Sequence, residues 1–224
     1  MNGKSMHWVN RLAALGLAVA LTAVLAGAGV AQTVGGKAYS TFVNTPVGSS
    51  GQSPLVVLPP VLGTDGAEAD AAGGAMSVAG ALSSDFLNSI TSGQIGTSEA
   101  GAQSTATAAS VNVLNGLITA DEVVANVMSS ASQSGAFSNA DGSTLTNLVV
   151  AGVPVTSGDA PVAPNTNISL PGVGNVVLNE QIPSGDGVTS SGLTVNMIHV
   201  FLQSLTGANT GEIIVGSATS SVGP

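Results

Sequence analysis

Asn115-Gly116 lies between two apolar stretches, in VNVLNGLITADEVVANV over 111–127, and restricts the fold more than any other feature of the chain. Both central residues of a type I′ turn need positive φ, which Asn and Gly adopt at little steric cost, so the dipeptide predicts a two-residue hairpin loop. Such a loop pairs Leu114 with Leu117, Val113 with Ile118 and Val111 with Ala120. If the second strand runs on to Val127, its side chains alternate faces. Asp121 then shares a face with Thr119 and Val123, and Glu122 shares the other with Ile118 and Val124.

That register bears on function, because Asp121-Glu122 is a conspicuous acid pair in a chain with only 7% charged residues. Adjacent strand residues point to opposite sides of a sheet, whereas a glycosidase pair must span one cleft with its carboxyl groups roughly 5–9.5 Å apart. A strand therefore removes the pair as a catalytic dyad. The competing reading is a helix, since Thr119-Ala120-Asp121-Glu122 matches a capping box with Thr119 as N-cap and Glu122 at the third position. The valines that follow favour a strand.

The second half carries the same signature: short apolar runs between clusters of Gly, Pro, Asn, Asp and Ser. The runs are LTNLVVAGVPV (145–155), VGNVVLNE (173–180) after the turn dipeptide Pro171-Gly172, LTVNMIHVFL (193–202) and GEIIVGSAT (211–219). Earlier, GKAYSTFVN (36–44) reads as a first strand, and LVVLPPVL (55–62) as an apolar strand stopped by Pro59-Pro60, which cannot sit in a central ladder. Residues 63–80 and 92–110 are rich in Gly, Ala, Ser and Thr and read as loops or small-residue strands. Leu82, Phe86 and Ile90 recur at spacing four, so 83–90 reads as a short helix with Ser83 or Ser84 as N-cap. The fold expected is all-β, an antiparallel β-sandwich of about 8 to 10 strands, with a β-prism or short β-helix as the alternative.

The N-terminus has another character. MNGKSMHWVNR carries Lys4 and Arg11, and the uncharged run LAALGLAVALTAVLAGAGVA ends in small residues, the layout of a secretory signal peptide cleaved after Ala31 or Ala28. An uncleaved membrane anchor is the rival, because the run approaches the roughly 20 residues a spanning helix needs. The absence of cysteine excludes lipid attachment to a post-cleavage Cys and any disulfide staple. The expected layout is a signal peptide over 1–31, with its helix, then one β domain with a small-residue-rich part over 32–103 and its core over 104–224. An extracellular location follows.

After residue 31, Lys37 is the single basic residue against all 12 carboxylates. Such a surface repels phosphate backbones and excludes nucleic acid and anionic membrane surfaces as partners. The few aromatics argue against carbohydrate platforms and aromatic-rich interfaces. Sparse Lys also leaves strand edges without their usual charge protection, which points to self-association.

Other candidate sites are sparse. His199 is the single histidine after residue 31, and strand alternation puts it on a face with Leu193, Val195, Met197 and Phe201, as a hydrogen-bonded core or face residue. There is no G-x-S-x-G elbow to present a nucleophile. Asn139-Ala140-Asp141-Gly142-Ser143 resembles a fragment of a calcium loop, but Val150 stands where an EF-hand has its twelfth-position Glu. Asn167-Ile168-Ser169 is a sequon only in a host that glycosylates. No residue is assigned a catalytic, cofactor or metal role on these grounds.

Taken in order, GKAYS, SVNVLNGLITADEVVANV, STLTNLVVAGVPV, APNTNISLPGVGNVVLNEQ, VNMIHV and GEIIVGSATSSV resemble the choice-of-anchor P family of secreted bacterial proteins, most strongly over 104–222 and loosely over 36–103. The resemblance implies an exported β-rich module and carries over no catalytic residue. After GSATSSV only Gly223 and Pro224 remain, without sorting motif, apolar tail or basic end, so a released protein is expected. The functional expectation is a secreted, non-enzymatic protein with a structural, cell-surface or matrix role, in which no cleft brings acids and His199 together. The alternatives are a secreted hydrolase with dispersed catalytic residues and a calcium-dependent adhesin or binding module.

Overall fold

Antiparallel strands make up nearly all of the regular structure, in two open sheets. The computed structural model describes residues 32–62 and 64–224; the expected signal segment and its helix lie outside the described residues. In chain order the strands are β1 (Thr33–Thr45), β2 (Gly48–Val57), β3 (Ala67–Gly73), β4 (Met76–Val78), β5 (Leu82–Ser84), β6 (Phe86–Ile95), β7 (Glu99–Val113), β8 (Ile118–Ser132) and β9 (Gly135–Asn139). They continue as β10 (Thr144–Thr146), β11 (Val149–Val150), β12 (Val153–Pro154), β13 (Asp159–Ala160), β14 (Thr166–Leu170), β15 (Gly174–Gly185), β16 (Ser191–Gln203) and β17 (Asn209–Gly223). The first sheet has the order β14-β15-β16-β17-β1-β2. In the second, the hairpin β7-β8 is the spine: β5 and β6 line the free edge of β7, β3 adds beyond β6, and β11, β10 and β9 follow one another along β8.

Both sheets contribute to one buried cluster, in which Val43, Val176, Ile198, Val200 and Ile213 of the first meet Val113, Ile118, Val123 and Leu145 of the second. Each such side chain withdrawn from water contributes roughly 1.5–3 kcal/mol. This arrangement is consistent with a β-sandwich. Towards the other end the core thins to Ala and Ser, and hydroxyls bridge the sheets: Ser40 Oγ to Ser89 Oγ at 3.1 Å and Ser129 Oγ to Ser220 Oγ at 2.6 Å. Small polar side chains are tolerated there because each finds a partner.

The predicted hairpin forms in the predicted register, with Val113 opposite Ile118 and Val111 opposite Ala120. Asn115 has φ 55° and Gly116 φ 89°, as the turn demands, and Leu114 is left-handed as well. Residues 119–127 are strand, not helix.

Two expectations are corrected, and one left open is decided. The short helix over 83–90 is instead β5 and the start of β6, where Leu87, Ser89 and Thr91 face inward and Phe86 faces out. Of the two readings of the small-residue segments, loops or small-residue strands, the second holds over most of their length, β3 and β7 among them. The described residues form 17 strands, above the expected 8 to 10. Part of that excess comes from the run 145–155, which left-handed Asn147 and Ala151 divide into β10, β11 and β12. Position 103/104, expected to separate two parts of the domain, lies inside β7.

One further feature sets up the site. In β16 the core-facing residues are Leu193, Val195 and Met197, and then Ile198 and Val200. The sequence of inward residues slips by one in neighbouring strands too: Ile213 and Val215 then Ala218 in β17, Ile118 and Ala120 then Val123 in β8, Ala106 and Ala108 then Val111 in β7. Pairing continues one-for-one across the slip, with Asn196 opposite Ser217 and Ile198 opposite Val215. Left-handed residues mark the line: Asn179 (φ 48°), Gly216 (φ 69°) and Ser110 (φ 54°). Gly216 is required there, because a Cβ would lie 2.8 Å from Val123 Cγ1 of the facing sheet and the φ disfavours any side chain.

Candidate functional site

The slip decides where His199 goes. Simple alternation would put it among Leu193, Val195 and Met197, but those three face the core and His199 faces outward, together with Phe201. The two rings lie 3.9 Å apart between centroids, tilted by 35°. The neighbouring strands supply acids: β15 brings Glu180 opposite Asn196, and β17 brings Glu212 opposite Phe201.

His199 Nδ1 lies 2.7 Å from Glu180 Oε2, and Nε2 lies 3.1 Å from Glu212 Oε2. Asn196 Nδ2 donates to the same Glu180 Oε2 at 2.7 Å. Two carboxylates thus reach His199 on a sheet face, three residues far apart in sequence meeting through the register of three strands. The ring is only 8% exposed, although it lies on the outer face of the sheet. Asn196 Oδ1 is buried and, among the described residues, meets no donor.

Tyr39 of β1 completes the row Glu180, Asn196, Ser217, Tyr39 across four strands. Burial pushes its hydroxyl above the usual phenol range; side-chain hydrogen bonds to Ser217 and Gln52 oppose this, and the charges of Glu212 and Glu180 reinforce it. Tyr39 therefore stays a neutral donor. Lys37 Nζ stands 5.4 Å from its ring centroid, a cation–π contact.

Chemically the cluster is a clamp. A histidine acting as general base leaves one ring nitrogen free for the proton it takes, its other nitrogen being held by an orienting group. Here each nitrogen faces a carboxylate, so no lone pair is directed at a substrate. Neither principal cavity is lined by His199, Glu180 or Glu212.

The other sequence candidates do not join it. Asp121 is exposed and its Oδ2 accepts from Asn147 Nδ2 at 2.7 Å, while Glu122 pairs opposite Ala109 and Thr146. The expectation that the two acids point to opposite faces is corrected: the slip between Ala120 and Val123 leaves both outside, while Ile118 and Val123 are fully buried. Asn139–Ser143 closes on itself, with Asp141 N donating to Asn139 Oδ1 and Ser143 N to Ala140 O, and it is tied to β8, where Ser143 Oγ donates to Asn126 O. The loop lines a cavity shared with Asn165, Asn179 and Gln181, while Val150 is buried in β11. Among the described residues no group of three His, Cys, Asp or Glu side chains is arranged to hold a metal ion. Asn167 is exposed on β14.

Sequence reasoning missed Glu180, Glu212, Asn196 and Tyr39. The turn residues at 184–187 and 206–209 mark hairpins that bring β15, β16 and β17 side by side, and that adjacency was the available signal. Comparison with known proteins adds nothing further: no family model, no curated protein and no solved structure matches this chain.

Proposed function

We propose that the chain is a secreted, non-enzymatic β-sandwich protein with a structural, cell-surface or matrix role, related to the choice-of-anchor P family. The observation that carries this reading is the clamp. The one histidine of residues 32–224 is nearly buried, with both ring nitrogens turned to carboxylates, which is how a side chain ties strands together. The edges of the six-stranded sheet add support. Neither β2 nor β14 contains a charged residue, and Leu55 and Val57 of β2 are exposed, so these edges lack the charges that discourage strand addition. The N-terminal layout, the shortage of basic residues and the ordered segments GKAYS to GEIIVGSATSSV support export and the family relationship. The test is electron microscopy of the protein purified from the host's medium or surface over a wide concentration range. Ordered assemblies support the structural role, and monodisperse particles at every concentration count against it.

A secreted hydrolase is the second reading, and the convergence of His199 with Glu180 and Glu212 is the observation that favours it. It requires one carboxylate to swing away so that a ring nitrogen is released. His199→Ala separates the two readings: loss of a hydrolytic activity at an unchanged melting temperature supports the enzyme, and a lowered melting temperature supports the clamp.

A further inference from the structure

The outer face of the second sheet holds a trough of about 890 Å³ that the clamp does not touch. Cross-strand pairing lays out its floor in two adjacent rows. One runs Glu68, Ser92, Gln103, Met128 from β3 to β8, and the next runs Gln94, Gly101, Ser130, Phe137 from β6 to β9. At the β3 end stand the exposed carboxylates Asp65 and Glu68, Glu99 lines the trough two strands away on β7, and no basic side chain lines it. At the β9 end Phe137 is 54% exposed and Met128 38%, neighbours on one face. Between the two ends Gly101 and Ser130 keep the floor low.

We propose that this trough binds an extended polypeptide segment of another protein, with a Lys or Arg at the acidic end and an aromatic or large apolar residue against Phe137 and Met128. Charge complementarity identifies the cationic end: Asp65 and Glu68 stand there, Glu99 adds a third carboxylate to the lining, and no basic side chain among the described residues lines the trough. A second copy of this chain does not fit, because Lys37, its one basic residue after position 31, already stands over Tyr39 on the other sheet. The span fixes the spacing. Four inter-strand steps of roughly 4.8 Å separate β3 from β9, about 19 Å, which an extended chain covers in about six residues at roughly 3.3 Å each. The trough therefore reads two side chains at a distance.

The experiment is a titration of the isotope-labelled mature protein with the capped hexapeptide Arg-Ser-Thr-Ser-Thr-Phe, followed by amide chemical shifts. The controls are the same peptide with Glu for Arg, and one with Arg and Phe adjacent. Saturable shifts at Glu68, Gly101, Ser130 and Phe137 are expected, with Kd at least about tenfold weaker for either control, for Phe137→Ala and for the pair Glu68→Gln with Glu99→Gln. All three positions are exposed, so an otherwise unchanged amide spectrum verifies that each variant is folded. Absence of saturable shifts at millimolar peptide, equal binding of the Glu peptide, or undiminished binding by the variants would overturn the proposal. The assembly role stands or falls separately, because it depends on the other sheet's edges.

Discussion

Two sets of carboxylates behave in opposite ways. Asp121 and Glu122 are adjacent in sequence, and the fold gives them separate surroundings: one bonded to Asn147, the other set beside Ala109 and Thr146. Glu180 and Glu212 are separated by a whole strand, and the fold brings them to the two nitrogens of one imidazole. Sheet register, not proximity along the chain, decides which acids act together. The slip in side-chain facing at Met197 and Gly216 makes the difference, because without it His199 would point into the core.

The largest effect expected from breaking this comparison is at Gly216, which is itself no part of either acid set. Gly216→Val puts a branched side chain at positive φ and into Val123, costing about 3 kcal/mol or more, and thermal or urea unfolding will measure it. His199→Ala comes next, at about 2 kcal/mol, because Glu180 loses one of its two partners where its side chain is 19% exposed. Replacing the acids singly sharpens the picture. Glu180→Gln is expected to cost about 1–2 kcal/mol, and Glu212→Gln less than about 1 kcal/mol, since Glu212 is 35% exposed at the longer distance and water screens it. Equal costs would mean that the ring is not held as described.

Asp186 gives a control outside both sets. Its carboxyl is held well below the ordinary value of 3.8 by the hydroxyl of Thr189 first and then by the backbone N–H groups of Ser190, Val188 and Thr189. The folded state thus prefers the ionised form. Its contribution is present above pH 3.8 and is lost as pH falls below that value towards the folded pKa. Asp186→Asn is expected to narrow its stability gap from the parent progressively below pH 3.8, as acid titrations followed by circular dichroism will show. The smallest effect belongs to the acid pair that stands out in the sequence: Asp121→Asn and Glu122→Gln should each stay within about 0.5 kcal/mol of the parent in the same unfolding assay.

How much of this the sequence reveals depends on how local the cause is. Asn115-Gly116 fixes its hairpin because the constraint is on two φ angles, and the register follows by counting. The stretch 83–90 misleads because spacing four suits a helix turn and an even strand interval alike, while Leu87 is followed inside β6 by the polar Ser89 and Thr91. Residues 99–110 give no apolar signal because β7 there buries Ala100, Ala102, Ser104, Ala106 and Ala108. The clamp was illegible for a different reason. Its parts are named by strand neighbours in three segments, and the facing of His199 depends on a slip marked by Gly216, a residue that reads as an ordinary strand glycine. The tight contact that explains Gly216 is with Val123, a residue of the other sheet.

The most direct test of the clamp is the rate at which diethyl pyrocarbonate modifies His199, read by mass spectrometry on the peptide that carries it. A ring 8% exposed and held at both nitrogens should react at least about tenfold more slowly in the folded protein than in the urea-unfolded chain. Modification of the folded protein at the unfolded rate would contradict the account.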